Sequence, residues 1–217
     1  DNFSSNWFSY YRALKQRNGM LKNNRISDIY AWNKVLVEEG TKLDNYRKDF
    51  FDKTIEEFHT LLEILKPYNV FDFFDVINIS FFQGWDNEKS LLKTLEENQQ
   101  TDTRRKTTTS GPHKSDIKFL IKDIDAKQIL SRGEQKFFSI LWSCAQHEVL
   151  KKHYRIDATL IIDDIRSELD DRVFNLFKKL LEHNKNQVIF SCIDDCFSSK
   201  ISSNFKDFKK FHVEQLR

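Results

Sequence analysis

Three short stretches decide how this sequence folds: residues 130–136 are LSRGEQK, residues 158–164 are ATLIIDD, and residues 167–170 are SELD. The first stretch enters a helix, because Ser131 can act as the N-cap and Glu134 as its capping-box partner. The second is an apolar strand that ends in two carboxylates. The third is an acidic turn that can cap a further helix. A strand between two capped helices predicts an α/β region.

A second apolar run supports this prediction. Residues 160–162 and 188–190 are short apolar runs, and between them lies a helical pattern made by Val173, Phe174, Phe177, Leu180 and Leu181. Strand, helix and strand in this order form a βαβ unit, which implies a parallel sheet with a right-handed crossover. Ligands bind beyond the carboxyl ends of such strands. Residues 211–214 are predicted as a last edge strand.

The first hundred residues have mostly helical periodicity. Residues 3–21 form one helical run, and a second run starts at Ser27 and stops at Pro67, since proline ends a helix. Gly40 marks a break or a loosely packed point in that second run. A further helix is predicted over residues 87–97. These runs together predict an antiparallel helical arm.

Composition excludes several classes of protein. The chain has 217 residues and a formal net charge of +2, which is too small to indicate nucleic-acid binding by itself. It contains no apolar run long enough to cross a membrane, and its first residues do not resemble a signal peptide. The three cysteines lack paired spacing, which favours free thiols in a reducing cytosol. We therefore expect a cytoplasmic protein with no membrane partner.

The start of the helix near residue 131 is suited to phosphate. A capped helix N-terminus presents free backbone N–H groups and the positive end of the helix dipole. Gly133 lets a ligand approach the backbone. Beyond the strand, Asp163 would hold Mg²⁺ directly or through water, and Asp164 would orient or deprotonate an attacking water. The plain alternatives are an ordinary helix cap and a buried strand that ends in a solvated acidic turn.

Taken in order, the three stretches resemble the signature motif, the Walker B strand and the D-loop of ABC-type ATPase heads. That resemblance implies that a γ-phosphate held by the opposite subunit contacts the signature motif, and that the D-loop lies across a dimer interface. The catalytic pair would be Asp163 and Asp164, although most such proteins carry glutamate at the second position. The implied nucleotide-binding residues are Ser131, Arg132, Gly133, Glu134, Ser167 and Asp170.

Further segments narrow the resemblance to the RecF family. They are residues 11–18 (YRALKQRN), 84–85 (GW), 111–116 (GPHKSD), 130–136 and 163–170. Together they extend over almost the whole chain. The implied fold class is α/β: part of a Rad50-like ABC ATPase lobe with a parallel βαβ unit, joined to an α-helical arm lobe.

The division implied is a helical arm over residues 1–103 and an ATPase lobe over residues 104–217. The polar, threonine-rich residues 99–109 are interpreted as the crossing between them. The family resemblance also implies slow DNA-stimulated ATP hydrolysis and ATP-dependent dimerisation. It implies binding to double-stranded DNA and to single-strand/double-strand junctions. RecR and RecO would be partners in loading RecA during recombinational repair, replication-fork maintenance and the SOS response, at the nucleoid.

The sequence departs from the family in three places. Lys114 stands where arginine is usual, and Lys106 stands where glycine is expected. No G-x-x-G-x-G-K-[ST] motif, the Walker A loop, occurs in the 217 residues. We therefore expect a C-terminal fragment whose ATP and Mg²⁺ binding needs a missing N-terminal segment, with very weak ATP binding and no hydrolysis by this chain alone. Its sheet should leave edges and apolar surface exposed.

Candidate DNA contacts form two basic groups. The first comprises Arg104, Arg105, Lys106 and Lys114, and the second comprises Arg12, Lys15 and Arg17. The alternative for residues 104–106 is a solvated linker, and the alternative for Lys15, Arg17 and Asn18 is packing of the arm onto the ATPase lobe. No second histidine or cysteine lies near His113 in sequence, which argues against a metal site.

Two other functions compete with this interpretation. One is a different head of the same superfamily, such as an SMC-like or OLD-type ATPase, although the arm is too short for an SMC coiled coil. The other is a catalytically dead module that binds only DNA or partner proteins.

Overall fold

The computed structural model describes most of the chain, namely residues 2–68, 76–164, 170–183, 187–192 and 207–212. The chain divides into two compact units, and each is built from two stretches of sequence. The first unit contains residues 1–52 and 78–119, and the second contains residues 53–77 and 120–217. The boundary predicted between residues 103 and 104 therefore falls inside the first unit.

The described helices are α1 (Asn2–Lys22), α2 (Ile29–Leu65), α3 (Leu91–Glu97), α4 (Gln99–Arg105), α5 (Ala126–Ile129), α6 (Arg132–Tyr154) and α7 (Asp171–His183). The described strands are β1 (Ile77–Phe82), β2 (Asp116–Ile121), β3 (Ile124–Asp125), β4 (Leu160–Ile162) and β5 (Val188–Phe190). Within the described ranges, short 3₁₀ turns cover Ile26–Asp28, Lys66–Tyr68 and Pro112–Lys114. None of the helices within the described ranges is long and apolar enough to cross a membrane.

Helices α1 and α2 confirm the two long helical runs. Helix α2 passes through Gly40 without a break, so the prediction of a break or a loose point was wrong. A Cβ atom at Gly40 would lie 2.9 Å from Leu91 Cδ2 and 3.2 Å from the ring of Tyr10. The missing side chain thus permits close packing of neighbouring elements onto α2.

The core of the first unit collects apolar residues from α1, α2 and the segment that contains α3. Its buried members are Tyr10, Ala13, Leu14, Leu36, Leu43, Trp85, Leu91 and Leu95. Helix α3 begins later than predicted, at Leu91, because Ser90 accepts a hydrogen bond from the Lys93 amide and caps it.

The segment 99–109, which the sequence analysis interprets as a crossing between lobes, packs within the first unit. Its first residues form α4, and Asp102 in the middle of that helix is fully buried. Its last residues return along α1, where the Thr108 amide and hydroxyl both donate to Asn18 Oδ1 at 2.8 and 2.7 Å. The segment belongs to the interior of the first unit.

The second unit contains the predicted βαβ arrangement. Strands β4 and β5 pair in parallel, with Leu160 opposite Val188 and Ile162 opposite Phe190. Helix α7 lies between them in sequence and buries Val173, Phe174, Leu176, Phe177, Leu180 and Leu181. The parallel pairing and the α/β assignment are confirmed.

Helix α6 contributes further side chains to the core of the second unit. Its buried side chains are Phe137, Phe138, Ile140, Leu141, Cys144, Ala145 and Val149. Phe58 of α2 packs against Phe138 and Trp142, with ring centroids 5.5 and 5.6 Å apart. Helix α6 also lies against α7 and β4.

The outer face of the β4–β5 pair is open. Ile161 and Ile189 lie opposite each other in register and are 73% and 52% exposed. Parallel sheets normally bury both faces. The exposure of these two isoleucines is therefore unusual, and it agrees with the exposed apolar surface expected from the sequence. At the C-terminal end, Phe211 and His212 lie in no strand, which corrects the predicted edge strand, and residues 213–214 lie outside the described ranges.

Lys106 adopts the left-handed conformation that the family's glycine would favour. It forms the C-cap of α4 with φ 54° and ψ 29°, and its amide donates to the carbonyl oxygens of Asp102 and Thr103. A side chain in this conformation costs about 1 kcal/mol or more, whereas glycine adopts it freely.

We predict that Lys106→Gly raises the free energy of unfolding by about 1 kcal/mol, because glycine removes that steric cost. Urea unfolding followed by circular dichroism measures the change. Lys106→Ala is the matched control, since it removes the charge but keeps Cβ. Equal stability of the glycine and alanine variants would contradict the explanation.

Candidate functional site

The carboxyl ends of β4 and β5 place two polar residues side by side. Asp163 follows the last residue of β4, and Ser191 follows the last residue of β5. The Ser191 hydroxyl donates to Asp163 Oδ1 at 2.5 Å and accepts from the Asp164 amide at 2.8 Å. One hydroxyl group therefore holds both acidic residues of the strand end.

A second contact fixes the turn from the side of α6. The Lys136 ammonium donates to the carbonyl oxygen of Asp164. Asp164 itself has φ 45°, a left-handed backbone conformation that its polar contacts must maintain. The lysine of the LSRGEQK stretch is thus in direct contact with the acidic end of the strand.

The N-terminus of α6 carries the predicted capping box. Glu134 N donates to Ser131 Oγ at 3.3 Å, and Ser131 N donates to Glu134 Oε2 at 2.8 Å. The Gln135 side chain donates to the carbonyl oxygens of Lys127 and Leu130, which holds the chain that enters the helix. Glu134 therefore has a structural role in the capping box. The groups of the first turn that could bind a ligand are its backbone amides.

The side chains of that first turn differ in exposure. Ser131 and Arg132 are exposed, and Gly133 is half-buried. The remaining predicted nucleotide residues belong to the acidic turn. Asp170 accepts a hydrogen bond from Val173 N at 2.8 Å and so caps α7, whereas Ser167 lies outside the described residues. Contact of any of these residues with nucleotide stays a prediction.

The donor set at the strand ends can be compared with what Mg²⁺ requires. Among the described residues, no group of three or more His, Cys, Asp or Glu side chains is positioned to hold a metal ion. Magnesium in phosphate-transfer sites needs fewer protein ligands, because it keeps several waters and uses one or two carboxylates together with substrate phosphates. The exposed carboxylate of Asp163, with a hydroxyl beside it, fits that pattern.

Sequence reasoning missed two residues of this site, Ser191 and the role of Lys136. Ser191 could have been found, since parallel pairing of the two apolar runs places the residue after each run at the same sheet edge. Lys136 lies more than one turn beyond the cap. Its partner is a backbone carbonyl, which no side-chain pattern indicates.

The first basic group lies on the surface of the first unit. Arg104 and Arg105 end α4, Lys106 caps it, and Lys114 ends a 3₁₀ turn; all four are exposed. Within the described ranges, none of them forms an ion pair with a carboxylate. Since Asp102 and Thr108 anchor the chain on either side of residues 104–106, these cations are held in place and are not part of a solvated linker.

Arg17 does not belong to the second basic group, which corrects the prediction. Its side chain is fully buried, and Nη1 lies 2.7 Å from Asp102 Oδ2. Nε donates to Asn33 Oδ1 at 2.7 Å, and Nη1 also donates to Thr108 Oγ1 at 2.8 Å. Arg17 therefore organises the interior, while Arg12 and Lys15 remain exposed.

Two of the family-like segments meet at a pair of glycines. Gly111 N donates to the carbonyl oxygen of Gly84 at 3.1 Å. Both have positive φ, 102° at Gly84 and 137° at Gly111, and a Cβ at Gly84 would lie 2.1 Å from the Gly111 oxygen. No other residue type fits this close crossing of the backbone.

His113 is bound to protein groups through both ring nitrogens. The Tyr10 hydroxyl donates to Nδ1 at 2.7 Å, and Nε2 donates to the Thr108 carbonyl oxygen at 3.1 Å. Burial lowers the pKa of His113 and raises the pKa of the Tyr10 hydroxyl. The histidine is therefore a neutral link between α1 and the segment 108–113, and it has no nitrogen left for a metal.

The chain is similar to DNA replication and repair proteins named RecF. No protein-family model matches the chain. The chain is 30% identical over 224 residues to the DNA replication and repair protein RecF of Pseudomonas syringae pv. tomato, covering 99% of this chain and 58% of that protein. It is 32% identical over 193 residues to RecF of Coxiella burnetii, covering 88% and 52%. The chain thus spans a little over half the length of these relatives.

Solved structures give the same result for the fold. The structure of the recombination mediator protein RecF with ATP in the RecFOR pathway superposes with a TM-score of 0.67 at 20% identity, covering 89% of this chain and 54% of that one. A RecF–ATPrS structure gives the same TM-score at 19% identity. The resemblance to RecF and the ABC-type ATPase fold are confirmed.

We predict that the first unit loses stability in mild acid because of His113. An unfolded histidine has a pKa near 6.5, and the folded pKa is lower, so between the two values the unfolded chain binds more protons. The stabilisation is complete above about pH 6.5 and is lost as the pH falls below it.

The measurement is the free energy of unfolding in urea at several pH values from 7.5 to 5. His113→Asn should reduce this dependence, since it removes that titrating ring, and His147, whose pKa is also lowered by burial, accounts for part of what remains. His59→Asn, at an exposed position, is the matched control for loss of a histidine. An unchanged slope in His113→Asn would refute the assignment.

Proposed function

We infer that this chain, which resembles RecF proteins over 99% of its length, is the part of a RecF-like ATPase that carries its signature helix and acidic strand end, and that it acts in DNA repair and replication through the RecFOR pathway. The contact that supports this most directly is Lys136 on Asp164. It joins the signature-like stretch to the Walker B-like stretch at the carboxyl end of a parallel strand, where α/β proteins bind nucleotides.

For nucleotide binding, each residue would have a separate task. Asp163 would hold Mg²⁺, directly or through water, with Ser191 fixing the orientation of its carboxylate. Asp164 would orient the attacking water and accept its proton. Magnesium, when bound, supplies charge neutralisation at the phosphates. Lys136 and Ser191 would keep Asp164 in the strained backbone conformation that directs its carboxylate.

The first turn of α6 would bind phosphate from a second subunit. The amides after Ser131, with Gly133 giving access to the backbone, form an anion-binding helix N-terminus. Arg132 is exposed beside them and would contribute charge. Ser167 and Asp170 would lie at the same dimer interface, with Asp170 also capping α7.

This arrangement supplies half of a composite site. The 217 residues contain no Walker A motif, so the phosphate-gripping lysine would have to come from another segment. We therefore propose that ATP binding and hydrolysis require that segment and an ATP-dependent homodimer. The division into an arm lobe over residues 1–103 and an ATPase lobe over residues 104–217 is part of the same proposal.

DNA binding is proposed for the first basic group. Arg104, Arg105, Lys106 and Lys114 are exposed without carboxylate partners in the described part of the chain, as phosphate-binding cations should be. Double-stranded DNA and its junctions with single strands are the proposed ligands. RecR and RecO are the proposed partners in loading RecA at gaps, and the proposed location is the nucleoid in the cytoplasm.

The test of the DNA assignment replaces the three cations at the end of α4. Replacing Arg104, Arg105 and Lys106 together by Gln should weaken duplex binding about tenfold or more and reduce the slope of log K against log salt by about 2 to 3. Fluorescence anisotropy of a labelled duplex between 50 and 200 mM salt gives both quantities.

A matched control removes the same charge elsewhere. Lys34, Lys93 and Lys127 are exposed, and their joint replacement by Gln should leave the slope nearly unchanged if residues 104–106 contact phosphate directly. Equal losses in both triple variants would mean that only net charge matters, and the proposed interface would be wrong.

A further inference from the structure

One face of α1 displays aromatic rings and cations together. Phe8, Tyr11, Arg12 and Lys15 lie at spacings of three, four and seven residues, which places them on the same side of a helix. Phe8 is 67% exposed and Tyr11 is 37% exposed, and both cations are exposed. We call these four residues the α1 strip.

The rings of the α1 strip are held in fixed positions. Trp7 contacts Tyr11 with the ring planes tilted by 36° and the centroids 4.4 Å apart, and it meets Phe8 edge-on at 5.1 Å. Trp7 is itself packed against the core of the first unit. Phe8 and Tyr11 are therefore supported from below and present their outer surfaces at little cost in conformational entropy.

The charge of the strip itself is positive. Helix α1 contains no Asp or Glu in its 21 residues, and in the described part of the chain no carboxylate pairs with Arg12 or Lys15. Glu38 and Glu39 on α2 are engaged by Lys42 at 2.8 and 2.9 Å. The strip therefore offers uncompensated positive charge beside its rings.

We propose that the α1 strip is a binding surface for single-stranded DNA. The faces of Phe8 and Tyr11 would stack on unpaired bases, and Arg12 and Lys15 would contact the adjoining phosphates. A duplex conceals its base faces, so duplex DNA could use the two cations but not the rings. The choice of DNA as the nucleic acid rests on the proposed function. The evidence for a binding surface is the arrangement of rings and cations on α1.

The two cations of the strip favour single-stranded DNA over an apolar protein surface as its ligand. A purely apolar partner would cover the rings but would leave Arg12 and Lys15 beside it without counter-charges, which is unfavourable when they are desolvated. A single strand supplies stacking surfaces and negative charges at alternating positions along one chain. A single strand would therefore contact both the rings and the cations of the strip.

The experiment measures binding of a labelled 20-nucleotide oligothymidine and of a labelled duplex of equal length to the whole chain. Phe8→Leu with Tyr11→Leu keeps apolar side chains but removes the rings. We expect the single-strand affinity to fall roughly tenfold or more, since stacking contributes about 1–3 kcal/mol per base. The duplex affinity should change less than about twofold, because a duplex offers no base faces to the rings.

Three further variants keep the test decisive. Phe8→Leu alone, at the more exposed ring, should retain the fold and still weaken single-strand binding. Tyr68→Leu removes a ring that is 50% exposed in the second unit and should change neither affinity. Arg12→Gln with Lys15→Gln should lower single-strand affinity and its dependence on salt.

Unchanged single-strand affinity in the double leucine variant would overturn the proposal, and it would leave the strip available for a protein partner. Equal losses for single strand and duplex would also overturn it, because stacking would then not be the cause. Failure of the proposed function is distinguishable, since it appears as intact duplex binding after the three replacements at residues 104–106.

Discussion

The buried ion pair between Arg17 and Asp102 is the constraint on which the first unit depends. Both side chains are fully buried, and their charged atoms lie 2.7 Å apart. Burying two charges is costly, and hydrogen bonds to their other polar atoms offset part of that cost. Asn33 and Thr108 bind the arginine, and Thr109 donates twice to the second carboxylate oxygen, while Arg17 Nη2 has no hydrogen-bond partner among the described residues. Removing one partner of such a pair costs about 3–5 kcal/mol.

The consequences of this pair reach the surface. By fixing Asp102 and Thr108, it determines where the exposed cations of residues 104–106 stand. The Thr108 carbonyl in turn accepts from His113, whose other nitrogen accepts from Tyr10. Helix α1 therefore has two faces with different tasks. The inner face organises the fold through Arg17 and Tyr10, and the outer face carries the α1 strip.

Features governed by local rules could be predicted from the sequence. The capping box at Ser131, the long helices α1 and α2, and the parallel pairing of residues 160–162 and 188–190 all follow from periodicity or capping chemistry. The segment 99–109 could not be predicted, because its helix depends on a contact with Arg17, 85 residues away in sequence. The sequence of a polar segment does not show whether its charged side chains are solvated or are buried against partners.

The candidate site was predicted in its acidic residues and in its helix N-terminus, but not in the contacts that hold them. Asp163 and Asp164 end an apolar run, which is visible in the sequence. The Ser191 hydroxyl and the Lys136 ammonium act through a backbone amide and a carbonyl, whose positions only the folded chain reveals. Lys106 is a similar case, since the sequence does not reveal its left-handed backbone conformation.

The most direct test of the central claim is calorimetric titration of ATP with Mg²⁺ into this chain, alone and joined to the Walker A segment of a RecF relative. We predict no measurable binding by the chain alone, clear binding by the joined protein, and a loss of about tenfold or more when Asp163→Asn removes the metal-binding charge. Tight binding by the chain alone, or equal binding by the joined protein and its Asp163→Asn variant, would contradict the assignment of this strand end as half of an ATP site.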